Sequence, residues 1–309
     1  MTVFKLTKKQ IIRRIVFMLA FLVIAWVVLC IYATRHWKQL DITVKTQQMP
    51  ANPYIVPEGD IQETRILPPE GYTRVPAAAD SFLSFMRSQP VYPDGSDIYI
   101  YDGTSKPGVT AAAVYQLPLG TEGYQECADS VIRLWSTYFR QNGQTEKLMF
   151  HLTNGKECSY ETFRKGMRVL AWQEWSFWMP LALPSEDNDQ LFNDWLMTVM
   201  RYAGTQSLTA ESHTISAQEA RAGDIICRGG NPGHVVIIVD EAVNAEGKRS
   251  FLLAQGWIPA QSCHIFYNQM ENPWITEEML SKPEIETGEY IFHADELRRW
   301  GEGFPNAAE

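Results

Sequence analysis

The stretch Ala222-Gly-Asp-Ile-Ile-Cys-Arg-Gly-Gly-Asn-Pro-Gly-His234-Val-Val-Ile-Ile-Val-Asp240 reads as two hydrophobic strands joined by a Gly/Asn/Pro turn. A single imidazole stands where the second strand begins, outside the apolar run Val235–Val239. About a hundred residues upstream, Gln125-Glu-Cys127-Ala-Asp-Ser130 puts a thiol at the start of a helical pattern. Gly123 breaks the preceding segment, and Val131, Trp135 and Tyr138 then recur at helical spacing. A thiol at a helix start sits in the field of unpaired N–H groups, which favours the thiolate. An imidazole within reach completes the activation and later protonates the leaving group.

A third group is expected to accept the other ring N–H. The segment Phe251-Leu-Leu-Ala-Gln255-Gly-Trp257 carries one polar side chain in an apolar run. A hairpin through Asn244–Gly247 brings Gln255 towards the start of the His234 strand, with Gln261 and Asn231 as alternates. The Cys127 backbone N–H, aided by Gln125, is the expected oxyanion donor. Asp129 is expected to tie the first turn of the helix, and Asp224 to order the loop before its strand. His151, His213, His264 and His293 show no partner pattern. Trp172, Trp175, Phe177 and Trp178 read as a core cluster or as the lining of a substrate cleft.

Residues 15–33 are almost continuously apolar, enough for about 20 residues to cross a bilayer as a helix. Lys5, Lys8, Lys9, Arg13 and Arg14 precede them, so the amino terminus is expected in the cytoplasm and the rest beyond the inner membrane. A cleaved signal peptide is the rival reading, disfavoured by the length of the apolar run and a poor cleavage site. Beyond residue 38 the chain has 20 basic and 36 acidic residues, a net charge of −16. That surface argues against a nucleic-acid partner.

Cys127, Cys158, Cys227 and Cys263 form an even set that an oxidising compartment allows to pair. No CxxC or HExxH spacing occurs, so neither a metal nor another cofactor is expected. The expected organisation is a basic segment over 1–14, a transmembrane helix over 15–33 and a proline-rich tether over 34–75. An α+β domain over 76–300 and a tail over 301–309 follow. Expected helices cover Ala77–Ser88, the Cys127 segment to Asn142, Ser159–Gly166 and Leu191–Tyr202. Expected strands are Asp97–Tyr101, Ala111–Leu117, Lys147–Leu152, Asp224–Arg228, His234–Asp240, Phe251–Trp257, His264–Tyr267 and Glu289–His293.

The order of Cys at a helix start, Gly-Asp and a strand, Gly-His opening the next strand, and a polar residue on the strand after it resembles the NlpC-like branch of papain-fold cysteine peptidases. The resemblance implies helices packed on an antiparallel sheet and cleavage of bacterial cell-wall stem peptides. It implies Cys127 as nucleophile, His234 as base and Gln255 as the polar third residue. Glu126-Cys127-Ala128-Asp129 replaces that branch's Asp-Cys-Ser-Gly motif. Over roughly residues 55–300 the chain also resembles an uncharacterised bacterial domain-of-unknown-function family. The expected function is a membrane-anchored, envelope-facing cysteine hydrolase of amide or peptide bonds. The competing one is an inactive papain-like domain that binds an envelope peptide or protein.

Overall fold

The structure, a computed structural model, describes residues 9, 18–28, 31, 52–106, 110–172, 175–268 and 271–304. The chain divides into Met1–Ala51 and Asn52–Glu309. Residues 18–28 are helical and exposed. No helix among the described residues is long and apolar enough to cross a membrane. The rest of the expected span apart from Ile31, with Cys30, the basic segment (Lys9 apart) and residues 34–51, lies outside the described residues.

The second unit is α+β. Its helices are α1 (Gln62–Arg65), α2 (Phe82–Arg87), α3 (Cys127–Gln141), α4 (Tyr160–Arg164), α5 (Asp189–Tyr202), α6 (Thr205–Glu211) and α7 (Glu277–Leu280). Among the described residues, nine strands build one sheet, paired antiparallel: β1 (Tyr72–Arg74), β2 (Ala111–Val114), β7 (Ser212–Thr214), β8 (Ile225–Arg228), β9 (His234–Asn244), β10 (Arg249–Gln255), β11 (His264–Phe266), β12 (Trp274–Thr276) and β15 (Leu297–Trp300). Six shorter strands make three hairpins: β3 (Met149–His151) with β4 (Glu157–Ser159), β5 (Met167–Trp172) with β6 (Trp175–Pro180), and β13 (Glu284–Thr287) with β14 (Tyr290–His293).

The sheet order β2-β11-β10-β9-β8-β15-β7 puts β9 near the middle, with β1 on the far end of β9 and β12 on β10. This explains the unbroken Val235–Val239 run: both faces are covered, and all five side chains are fully buried. Each contributes about 1.5–3 kcal/mol relative to exposure. Alternation sends His234 and Val236 to one face and Val235 and Ile237 to the other. Cys227, paired with Val235, meets Thr209 of α6 at 3.4 Å, so helices cover that face. His234 meets Tyr290 and Phe292 of β14, so the β13–β14 hairpin covers the opposite one.

Several expected elements differ in the structure. The tether expected to reach Val75 is folded from Asn52 onward, because β1 pairs with Ala242–Asn244 at the end of β9. Arg74 of that strand and Arg87 of α2 both bind the fully buried Asp240, at 2.7 and 2.8 Å. The tail expected from 301 is packed to Phe304, whose ring lies 4.6 Å from that of Phe82. The strand expected at Asp97–Tyr101 is reduced to isolated bridges at Tyr99 and Ile100. The Trp172–Trp178 cluster is core only at Trp178, which packs against it: the residues form the β5–β6 hairpin, with Trp172 and Trp175 exposed by 71% and 76%.

Candidate active site

Helix α3 starts at Cys127, as its pattern predicts. Its first turn is tied by Asp129, whose Oδ2 accepts the Glu126 N–H at 3.1 Å. Burial pushes the Asp129 carboxyl well above the usual carboxylate range. The turn lies hard against the end of β10, where Gly256 is the only residue type that fits. A Cβ there would stand 2.3 Å from Ser130 Oγ and 2.8 Å from the Glu126 carbonyl oxygen. The same packing brings the Cys127 thiol to β9, where the backbone N–H groups of Val235 and Ala128 favour its thiolate. The thiol is thus one residue from the imidazole's own backbone.

His234 is buried. Its Nε2 lies 2.9 Å from Gln255 Oε1. The amide's orientation is set from behind: Gln255 Nε2 donates to Glu289 Oε2 at 3.0 Å and faces His264 Nε2 at 3.4 Å. A carboxylate only accepts, so Gln255 Oε1 must face His234, and His234 Nε2 must carry the proton it donates. His264 completes the chain, with Nδ1 2.9 Å from the Ser262 carbonyl. His234 Nδ1 makes no hydrogen bond among the described residues and is left with its lone pair free. The Trp257 ring, 4.2 Å from the imidazole centroid, covers the His234–Gln255 pair.

Burial dominates the titration. It pulls His234 down to about 4 and pushes the Cys127 thiol up to about 12, against the partial pull of the Val235 and Ala128 N–H groups. The expectation that the helix start gives a standing thiolate is therefore corrected: desolvation outweighs the helix field, and the resting pair is a thiol and a neutral imidazole.

A cleft of about 490 Å³ opens beside the thiol. Tyr124, Glu126 and Cys127 line one side, Arg201 and Thr205 another, and the loop Gly230–Gly233 a third. Gly233 is packed closely within its own loop. A Cβ there would strike Thr205 Oγ1 at 2.4 Å and the Gly230 carbonyl oxygen at 2.5 Å, so the glycine serves the loop's own packing. Asn231 lines this cleft, away from the Gln255 role. Gln261, the other alternate, is buried with neither amide atom bonded among the described residues.

Gln125 is buried beside the helix start. Its Oε1 accepts from Arg133 Nε, and its Nε2 has no partner among the described residues. Asp224 is structural: it accepts the Arg221 N–H at 2.9 Å and binds Arg299 at 2.7 Å. Cys127, Cys158, Cys227 and Cys263 are all free and buried, so the pairing that their even count allows is not made.

A family model described as a domain of unknown function, DUF4846, matches residues 62–299. The chain belongs to that family. No curated protein and no solved structure matches it. Sequence reasoning about this DUF4846 domain missed Glu289 and His264, the groups that orient Gln255. His264 lies directly opposite Gln255 in the β10–β11 register. That pairing was the signal, and it is invisible without knowing which strands are neighbours.

Proposed function

We propose that this domain is a cysteine hydrolase of amide or peptide bonds, held at the envelope face of the inner membrane by residues 15–33, with cell-wall peptide as its leading substrate. The carrying observation is the free Nδ1 of His234. Gln255 fixes the ring by its other nitrogen, and the backbone N–H of the neighbouring Val235 favours the thiolate of Cys127. The NlpC-like resemblance predicts the same three residues in the same roles.

In this reading the Cys127 sulfur attacks the scissile carbonyl as His234 Nδ1 takes the thiol proton. The Cys127 backbone N–H and Gln125 Nε2 stabilise the oxyanion. The C–N bond breaks, His234 returns the proton to the leaving amine, and a thioester remains. A water activated by His234 then hydrolyses the thioester and restores the thiol. A second reading is favoured by the strongly raised thiol: a papain-like domain that binds an envelope peptide or protein without turnover.

The test is covalent labelling by a small thiol-reactive probe, together with mass analysis of wall peptides incubated with the protein. Labelling that disappears in Cys127→Ala and drops sharply in His234→Ala, with new peptide termini from the wild type alone, is the expected result. Labelling indifferent to His234 and intact peptides would leave the binding reading in its place.

A further inference from the structure

The β5–β6 hairpin carries an exposed apolar surface that the proposed catalysis does not use. Its register pairs Leu170 with Phe177 and Trp172 with Trp175, and Met179 follows two residues along. Cross-strand partners share a face, so these five side chains form one apolar strip. They are exposed by 40%, 45%, 71%, 76% and 38% in that order. Soluble surfaces rarely gather large apolar groups in this way without a partner.

The hairpin is held firmly from its other side. Val169 is buried, and Trp178 packs against the core. Its base is locked where the Leu181 and Ala182 N–H groups donate to the Gly166 carbonyl, at 3.2 and 3.0 Å. A Cβ at Gly166 would stand 2.1 Å from the Ala182 oxygen, so the closure needs glycine. The Arg168 guanidinium lies 3.7 Å from the Phe163 ring centroid. The apolar strip is therefore displayed on a fixed arm.

We propose that this strip docks into the interfacial layer of the bilayer that anchors the chain, a proposal that rests on the anchoring part of the reading above. Eighteen residues, 34–51, separate the apolar segment from the folded unit. Fully extended they span at most roughly 65 Å. A folded unit of about 260 residues has a radius of gyration of roughly 18 Å, so its whole surface stays within reach of the membrane. Docking is then intramolecular, and modest apolar contact suffices. The side chains suit that layer: tryptophan at the tip settles at headgroup level, with Leu, Phe and Met behind it. A net charge of −16 beyond residue 38 removes attraction to anionic lipid, so the apolar strip must provide the hold and zwitterionic lipid is the matching surface.

The experiment uses the full chain in phosphatidylcholine vesicles, with and without brominated acyl chains. Tryptophan emission is compared between wild type and the exposed-site double variant Trp172→Ser/Trp175→Ser. The wild-type-minus-variant difference isolates two of the ten tryptophans. It should lose most of its intensity in brominated vesicles. Flotation after an alkaline wash separates the two readings. A chain that floats but shows an unquenched difference spectrum overturns the docking and leaves the anchor standing. A chain that does not float overturns both. Tip-dependent self-association in detergent, with the difference spectrum unquenched, assigns the strip to a second copy instead.

Discussion

Replacing His234 by alanine tests the dyad most directly, because the structure sets both limits of the effect. Burial holds the Cys127 thiol at about 12. At pH 7 such a thiol is ionised to about one part in 10⁵, against about 3% for an ordinary cysteine. Unaided alkylation of Cys127 is therefore about 10³-fold slower than that of a free thiol. His234, neutral above about 4, can take the proton during attack. General-base help of this kind contributes about 10²–10⁴-fold. Alkylation of the wild type by iodoacetamide, followed by mass spectrometry at Cys127, should then be nearly flat from pH 5 to 9. In His234→Ala the rate at pH 7 should fall by about 10²–10⁴-fold and climb about tenfold per pH unit, since only pre-formed thiolate reacts. Circular dichroism of the variant guards against unfolding. A wild-type profile with an ordinary midpoint between 8 and 9, unchanged in the variant, would show that the imidazole takes no part.

Replacing Gln255 by leucine removes the acceptor that orients His234; peptide turnover should fall about 10²-fold with little change in KM, read by steady-state kinetics. Ala at Gly256 should push the first turn of α3 from β10 and slow Cys127 labelling, whereas Gly256→Ala/Ser130→Ala should recover part of it, because Ser130 Oγ is the nearest obstacle; no recovery would place the fault elsewhere. His234 and His264 are both held at about 4 by burial, against an ordinary 6.5. The unfolded chain therefore takes up protons first as pH falls, and stability present above 6.5 should decline towards pH 4 by about 3 kcal/mol per histidine. Urea unfolding at pH 7 and 4.5 measures this, and His264→Gln should flatten the dependence. Asp240→Ala strands Arg74 and Arg87 at a buried site and should cost about 3–5 kcal/mol, seen in the urea midpoint; a midpoint like that of the wild type contradicts a stabilising role for these ion pairs.

The candidate site was legible where chemistry and local pattern coincide. Cys127 at a helix start, His234 at a strand start and the polar break at Gln255 each appear within one short segment. What was hidden depends on partners far away in the chain. Glu289 reaches Gln255 across 34 residues, and β1 reaches β9 across about 170. Strands of three or four residues, such as β7, β12 and β15, are too short for alternation to register. The segment 52–75 looked like a linker because it is rich in proline and charge. Yet Arg65 is buried there with Nε and Nη1 donating to the Val56 and Tyr92 carbonyls, which composition cannot express. The resting charge of Cys127 was misjudged for a related reason: the helix start is visible in sequence, and the depth of its burial is not.

The four free thiols among the described residues give the molecule a use as its own recorder. Cys158 lies in the β3–β4 hairpin, Cys227 in β8 and Cys263 just before β11, each at most 1% exposed. A trapping reagent can reach these three only when its layer opens. Following the mass of each cysteine-containing fragment during slow denaturation would therefore yield the sequence in which hairpin, central sheet and sheet edge come apart, with no introduced reporter.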